Sequence, residues 1–522
     1  LYSGLGRNPE PAFFICDFLR KGYTKQMNVK DITSLMDSLT AEHLALIEKA
    51  YNMAETAHAG VLRKSGEPYF NHVFETAKII AELKMCPVTI CAGLLHDSIE
   101  DGVLTEEKIQ KEFGDEILFL VQGVTKLGKL KYRGAERHIE SLRKLFVASA
   151  QDIRVIIIKL CDRLHNMRTL QYVRSDKQQR IALETLEIFA PLAYRLSIRK
   201  ISRELEDLAF PYLHPKEYKE TKELMKSKSA ETLPKLEKFM KSIKTALAEG
   251  GMINFKTDYR LKGLYSLNKK LSIKGGDIEN IYDILALRIF TDNVADCYKV
   301  LGIIHSKWRP LPGRIKDYIA MPKMNGYRSL HTTVFTGDGS VVEVQIRTHE
   351  MHLQAEYGIA SHLSYKDLKN NENKEMNWFS QFLPKSISST LVSKAENAPD
   401  WMKDLAIESK KVTDGEKTLE DLKTDFFTSR IFAFTPKGDT VDLPIGSSAI
   451  DFAYAIHSDI GNHIASVMIN HKIASLQTKL ENGDQVEIIT KKNAKPNRKW
   501  LDYAKTSMAK KFIKQALNIK SE

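Results

Sequence analysis

Apolar residues recur three and four apart through nearly all of residues 24–210, as in "ITSLMDSLTAEHLALIEKAYNMAETAH" and "RIALETLEIFAPLAYRLSIRKISRELEDLAF". That spacing lines one face of a helix, so an all-α domain is predicted there. Residues 211–250 are rich in Lys and Glu with periodic Leu and Met, which predicts connecting helices and not a floppy linker. After "EGG" the period shortens. The stretches "IYDILALRIFT", "HTTVFTGDGSVVEVQIRT" and "RPLPGRIKDYIAMP" read as strands joined by turns, with "GDG" marking a hairpin, and predict an α/β or α+β domain over 251–370. The polar run "KDLKNNENKEMN" leads into a connector over 371–427. Beyond it, "RIFAFTPKGDTVDLP" and "GDQVEIIT" predict a small β-rich module at 428–493, and 494–522 begin a further helical region.

Length agrees with this division, because 522 residues exceed what one hydrophobic core supports and imply about two to four domains. A hydrophobic content of 43% with 28% charged residues belongs to a folded, water-soluble chain. The net charge of +12 points to polyanionic company such as nucleotides, RNA or phosphates, or else to a surplus of solvated lysines. The five cysteines are scattered and never spaced C-x-x-C, which argues against a disulfide framework or thiolate zinc site and favours a reducing cytoplasm. No apolar run approaches the roughly 18 residues of a membrane span. The chain opens on Leu1 and ends in the helix-like "SMAKKFIKQALNIKSE", so a fragment of a longer protein is expected.

The helical part holds an unusual concentration of ionisable groups in apolar surroundings. His72 lies in "YFNHVFETA", His96 and Asp97 in "LLHDSIED", and Asp162 in "KLCDRLHNMRT". Imidazole mixed with carboxylate, brought from separate helices into a bundle interior, suits a divalent ion such as Mn, Fe or Zn. On a continuing helix Asp97, Glu100 and Asp101 would share a face, leaving Glu100 and Asp101 beside a coordinated water. Asp162, His165 and Asn166 share a face of their own helix. The alternative is an acidic helix turn with an unrelated buried histidine.

Together "HAGVLRKSGEPYFNH", "LLHDSIED" and "KLCDRLHNMRT" resemble the HD hydrolase domain of the RelA/SpoT homologues, enzymes that make and destroy guanosine tetra- and pentaphosphate, (p)ppGpp. The resemblance implies that His72, His96, Asp97 and Asp162 hold Mn²⁺ and that Glu100 and Asp101 are the catalytic pair. It further implies that Arg63, Lys64, Ser65, Asn166 and Thr169 bind the guanosine and its phosphates. Val61, Val73 and Ser98 depart from the usual pattern, but every implied ligand and both acids are present.

In the second part a carboxylate lies in each of two apolar runs, Asp283 in "NIYDILALRIF" and Glu343 in "SVVEVQIRT", and both runs are predicted as strands. Alternation puts Glu343, Gln345 and Arg347 on one face. Two acids on paired strands amid Arg260, Lys262, Lys269, Lys270, Arg314, Lys316 and Lys323 suit Mg²⁺ and a nucleotide's phosphates, or else a basic sheet edge with structural ion pairs. "PGRIKDYIAMPKMNGYRSLHTTV" resembles the same family's synthetase signature, and "RIKD" matches the form typical of bifunctional members. That resemblance implies a mixed-sheet, nucleotidyltransferase-like domain moving pyrophosphate from ATP to the 3′-hydroxyl of GDP or GTP. Tyr327 would stack on guanine with Lys323, Asn325 and His331 nearby. Arg260 would cover the adenine, while Lys262, Ser266, Lys270 and Lys316 would bind phosphates. Asp283 would carry Mg²⁺, with Glu343 as base.

The stretch "RIFAFTPKGDTVDLPIGSSAIDFAYAIHSDIGNHIA" resembles a TGS domain, which implies a ribosome and uncharged-tRNA partner, with Lys437, Tyr454 and His457 as candidate RNA contacts. "GNH" replaces the more usual "GHR" there. The whole reading is therefore a multidomain, cytoplasmic, bifunctional (p)ppGpp synthetase and hydrolase of the stringent response. Its alternatives are a member with one silent centre and a non-catalytic ribosome- or tRNA-binding sensor.

Overall fold

In the computed structural model, residues 27–36, 39–128, 152–279, 281–323, 326–361, 430–481 and 483–519 are described. The chain divides into two compact units, residues 1–118 with 158–370 and residues 119–157 with 371–522. Asn325 and the run "KDLKNNENKEMN" lie outside the described residues.

The helical region is built from α1 (Lys30–Thr33), α2 (Ala41–Ala57), α3 (Phe70–Glu82), α4 (Pro87–Leu95), α5 (Glu106–Gly128, interrupted at Gly114) and α6 (Ile153–Arg168). After these come α7 (Ser175–Glu184), α8 (Ala190–Arg195), α9 (Arg199–Leu213) and α10 (Pro215–Glu249). Thr40 starts α2 with a capping box, its hydroxyl accepting from the His43 N–H. Pro87 starts α4 at a position where its missing N–H costs nothing. Gly93 of α4 faces α3 so closely that a Cβ there would lie 3.5 Å from Ala77 Cα and 2.4 Å from Ile80 Cδ1. That small-residue contact lets the two helices carry His72 and His96 toward one point. In α6 the β-branched run Val155 to Ile158 has weak helix propensity, yet Ile156, Ile157 and Ile158 are wholly buried. Burial outweighs propensity here.

The segment expected to hold connecting helices is largely one 35-residue helix, α10. Its C-terminal half does more than connect. Leu236, Phe239, Ile243 and Leu247, at helical spacing, join the core beneath the sheet together with Val300 and Ile304. That sheet has the order β1-β2-β5-β4-β3, formed by β1 (Phe255–Leu261), β2 (Leu285–Thr291), β3 (Lys316–Asp317), β4 (Leu330–Phe335) and β5 (Val341–Thr348). β2 and β5 pair in parallel and the other neighbours antiparallel, which makes the sheet mixed. The "GDG" turn closes the β4–β5 hairpin, with Gly337 and Gly339 at positive φ. α11 (Leu264–Ile273), α12 (Val294–Lys307) and α13 (His349–Tyr357) complete the region.

The second unit contains a hairpin of β6 (Arg430–Phe434) and β7 (Thr440–Pro444) and a sheet of order β10-β8-β9, formed by β8 (Ile464–Ile469), β9 (Lys472–Ala474) and β10 (Val486–Thr490). α14 (Ala449–Ile456), α15 (Ser458–Asn462), α16 (Trp500–Tyr503) and α17 (Ser507–Ala516) pack with them. Asp451 is fully buried and accepts from the backbone N–H groups of Ser448, Lys505 and Thr506, so it ties the 500s segment onto α14.

Candidate active sites

The first site forms where α3, the end of α4 and α6 meet. His72 and His96 are 2% and 0% exposed, and their Nε2 atoms lie 3.4 and 3.2 Å from Asp97 Oδ2. Asp162 Oδ1 is 3.3 Å from His72 Nε2 and 4.0 Å from His96 Nε2. Ligand atoms of His72, His96 and Asp162 all fall within 4.8 Å of one another. His96 Nδ1 donates to the Gly93 carbonyl at 2.8 Å, which turns the Nε2 lone pair inward, and that buried Nε2 has no hydrogen-bond partner. An orphaned lone pair aimed at two carboxylates is what a divalent cation satisfies, so the donor set fits one.

The same two carboxylates favour positive charge at this point, whether it is a metal ion or a proton on the ring. Burial would lower the His96 pKa, but Asp97 and Asp162 outweigh it and hold the imidazole up at about 9. Burial pushes the Asp162 carboxyl up, yet Lys159 and the two histidines hold it well below the usual range. Lys159 donates to Asp162 Oδ2 at 2.7 Å, Asn166 to Oδ1 at 2.5 Å, and the Tyr69 hydroxyl to Asp97 Oδ2 at 2.8 Å. Lys159 and Tyr69 were not singled out from the sequence, although their positions in "KLCDRL" and "EPYFNH" place them one helical turn from ligands.

Glu100 and Asp101 do not continue α4, contrary to the helical expectation. Residues 97–102 form turns: the Ser98 carbonyl accepts from Val103 and Leu104, and Gly102 takes φ +70°. One helix-like bond, Asp101 N–H to the Asp97 carbonyl at 2.9 Å, keeps Asp101 one turn from Asp97, an expected ligand. Burial raises the pKa of both Glu100 and Asp101, and the Asp97 charge adds to it. Arg63 bonds Asn166 Oδ1 at 2.6 Å and the Thr169 hydroxyl at 3.2 Å, which gathers three of the five expected substrate contacts. Lys64 is exposed, and Ser65 faces Glu67 at 3.5 Å.

The second site lies along the sheet. Asp283 sits in the turn before β2 and not in a strand, a correction to the sequence reading. The apolar run read straight through it, but outside the ladder its Oδ2 can meet Lys262 at 2.8 Å and Lys270 at 2.6 Å. Burial would raise the Asp283 pKa, but these two lysines hold it down at about 2. Glu343 is near enough for its titration to feel the Asp283 charge. On the β5 face Gln345 donates to Glu343 Oε1 at 2.9 Å, as alternation predicts.

Tyr327 is only 8% exposed, with Lys323 and Arg347 over its ring at 5.4 and 5.9 Å. Burial and the nearby Arg199 bring the Lys323 pKa down to about 8. Lys316 pairs with His331 across β3 and β4, and Ser266 lies on α11 with Lys270. Arg260 belongs to an arginine group that the sequence did not reveal, because its members come from α9, β1, β2 and β5. Glu356 of α13 lies 2.7 Å from Arg203, 3.5 Å from Arg288 and 3.7 Å from Arg347. Burial, then Arg203 and Arg288, bring the Arg260 pKa down to about 10. One carboxylate among these cations leaves a surplus of positive charge suited to phosphate.

In the second unit Lys437 and His457 are exposed, whereas Tyr454 is buried, its hydroxyl donating to Asn462 and its ring stacked on Phe512. The expectation of an RNA contact at Tyr454 is therefore corrected: "IDFAYAI" turns that side chain into the core. No helix among the described residues is long and apolar enough to cross a membrane.

Three sequence families match along the chain: the HD domain at residues 50–199, the region found in RelA / SpoT proteins at 259–370, and the TGS domain at 431–490. A GTP pyrophosphokinase of Myxococcus xanthus is 44% identical over 92% of this chain and 61% of its own length. The guanosine-3′,5′-bis(diphosphate) 3′-pyrophosphohydrolase of Aquifex aeolicus is 43% identical over 91% of this chain and 65% of its own length. The protein of that name from Haemophilus influenzae is 42% identical over 90% of this chain and 67% of its own length. Small alarmone synthetase 2 of Bacillus subtilis, a solved structure, is 25% identical over 36% of this chain and 98% of its own, with a TM-score of 0.23. The chain thus spans 55% to 67% of the length of the curated relatives it matches. With three domains in family order and such relatives along nine-tenths of its length, the chain belongs to the RelA/SpoT family.

Proposed function

We propose that this chain carries both opposed activities named among its relatives. At the Asp283–Glu343 centre it transfers pyrophosphate from ATP to the 3′-hydroxyl of GDP or GTP. At the His72–Asp162 centre it hydrolyses (p)ppGpp to GDP or GTP and pyrophosphate. The observation that supports this most is that the two centres gather chemically distinct groups, imidazole with carboxylate in one and acids amid lysines in the other.

For hydrolysis, His72, His96, Asp97 and Asp162 are assigned as Mn²⁺ ligands, and the bound ion would supply Lewis acidity and a water of lowered pKa. Arg63, Lys64, Ser65, Asn166 and Thr169 hold the guanosine and its phosphates. Glu100 and Asp101, whose pKa values are raised, orient the attacking water and take its proton.

For synthesis, Asp283 is assigned to Mg²⁺, which would neutralise charge on the transferred phosphates. Lys262 and Lys270 exchange Asp283 for those phosphates, with Ser266 and Lys316 beside them. Glu343, kept ionised by His331 and Gln345 against the effect of burial, takes the proton of the 3′-hydroxyl. Arg260 covers adenine. Tyr327 takes guanine once Lys323 or Arg347 leaves its ring, with Asn325 and His331 alongside.

Running both centres at once would waste ATP, so one conformation must favour each. The covered Tyr327 ring, together with the gathered His72, His96 and Asp162, supports a reading of the present arrangement as the hydrolytic one. The TGS module meets ribosome-bound, uncharged tRNA through the surface bearing Lys437 and His457. The setting is cytoplasmic, in keeping with four buried free thiols among the described residues.

The test uses two tubes: Mg²⁺, GDP and ATP labelled at its β- and γ-phosphates in one, and Mn²⁺ with guanosine tetraphosphate in the other. Labelled tetraphosphate in the first and GDP plus pyrophosphate in the second are expected. Asp283→Ala should abolish only synthesis and His96→Ala only hydrolysis. A wild-type protein inert in either tube would reduce the reading to a single-direction enzyme, and one inert in both would leave a binding sensor.

A further inference from the structure

His58 opens the "HAGVLRKSGEPYFNH" segment and has no part in the functions assigned so far. It is 1% exposed at the C-terminal end of α2, and its Nδ1 donates to the Ala54 carbonyl at 2.9 Å. That bond fixes the tautomer, since a carbonyl can only accept, and leaves a lone pair on Nε2. The Nε2 is buried and has no hydrogen-bond partner. It lies 3.8 Å from Asp101 Oδ2. The ring stacks at 5.1 Å on Tyr69, whose hydroxyl holds Asp97, so the imidazole cannot turn away without disturbing the metal side. A buried acceptor is costly to leave unused.

We propose that His58 is the positioning residue of the hydrolase centre: its Nε2 accepts the hydrogen bond of Asp101 once Asp101 has taken the proton of the attacking water. The inference rests on the hydrolase reading above. In the step, the water oxygen bonds to the 3′-linked phosphorus as its proton passes to an Asp101 carboxylate oxygen. The new O–H donates to His58 Nε2, which steadies the protonated acid and holds it in one rotamer. The P–O3′ bond then breaks, and the same proton is delivered to the ribose 3′-oxygen, so none is gained or lost over the cycle. A move of under about 1 Å by the Asp101 side chain brings the pair to hydrogen-bond distance.

The experiment compares His58→Phe, which keeps a ring against Tyr69 but has no acceptor, with His58→Gln, whose carbonyl can reach the Nε2 position. Steady-state hydrolysis of guanosine tetraphosphate is measured in saturating Mn²⁺, and Mn²⁺ binding by electron paramagnetic resonance. The expected result for His58→Phe is a kcat lower by about 10- to 100-fold with KM and Mn²⁺ affinity unchanged. His58→Gln should recover much of the loss, and adding His58→Phe to Asp101→Asn should cost nothing more. Wild-type kcat in His58→Phe, or a further full loss in the Asp101→Asn background, would overturn the inference. Should the phenylalanine variant not fold, His58→Met takes its place in the same comparison. A wild-type protein without hydrolysis would instead defeat the hydrolase reading itself, and that failure is distinct.

Discussion

His331 bridges to Glu343, its Nδ1 lying 3.2 Å from Glu343 Oε1, while its Nε2 meets the Tyr327 hydroxyl at 2.8 Å. Burial lowers the His331 pKa although Glu343 opposes it, so the ring is neutral, donates to the carboxylate and accepts from the phenol. One imidazole thus sets both Tyr327, proposed to take guanine, and Glu343, proposed as the base. Replacing it by alanine loosens both at once, and misplacement on the order of 1 Å costs about 100-fold. His331→Ala is expected to slow synthesis by about that factor and to leave hydrolysis of guanosine tetraphosphate unchanged. Parallel assays of the two reactions check it.

The two imidazoles and two carboxylates of the first site predict a metal-dependent stability. Mn²⁺ binding to the folded form alone should stabilise by about 2.7 kcal/mol at a hundredfold excess over its dissociation constant. Melting curves with Mn²⁺ and with a chelator should therefore separate for the wild type. They should coincide for Asp162→Ala, which removes the oxygen 3.3 Å from His72 Nε2.

Gly358 ends α13 at φ +55°, and a Cβ there would lie 2.2 Å from the Leu196 carbonyl oxygen and 2.5 Å from Ser197 C. Both are backbone atoms and cannot swing aside. This is where the end of α13 touches the chain between α8 and α9, so Gly358→Ala should force the contact apart. A loss of more than about 3 kcal/mol is expected, above the roughly 1–3 kcal/mol of positive-φ strain alone. Gly337→Ala is the control: its φ is +88° with nothing within 4 Å of the added Cβ, so it should show the strain alone. Denaturant unfolding of the two variants distinguishes them.

What the sequence disclosed follows from the range of the interactions involved. The period of two in "SVVEVQIRT" and the "GDG" turn act over a few residues, so the β4–β5 hairpin and the Glu343–Gln345 face could be read directly. His72, His96, Asp97 and Asp162 were readable because charges in apolar helices need a reason. Asp283 was misread into a strand because nothing local marks where the ladder starts; lysines 21 and 13 residues earlier decide it. The arginines around Glu356 come from four elements, and no local pattern announces them. His58 shows the same limit, since its missing partner is visible only once α2 is packed against the turn after α4.

Asp207 of α9 accepts the backbone N–H of Tyr265 at 2.9 Å in the first turn of α11, the helix that carries Ser266 and Lys270. Burial is the main cause that pushes its carboxyl up to about 7; the Tyr265 bond pulls back and Glu206 adds to the rise. Below about pH 4 the group is protonated whether the chain is folded or not, and it costs nothing. As pH rises toward 7 the unfolded chain ionises first, so the folded form loses relative stability, and above 7 that loss is complete and constant. Each pH unit in this window is worth about 1.4 kcal/mol, which bounds the effect at roughly 4 kcal/mol. Asp207→Asn keeps an oxygen for the Tyr265 N–H but cannot ionise. The variant should match the wild type near pH 4 and exceed it in stability at pH 8, with the gap opening between the two. Denaturant midpoints across that range test it, and curves that stay parallel would mean that Asp207 ionises in the folded protein as freely as in the unfolded one.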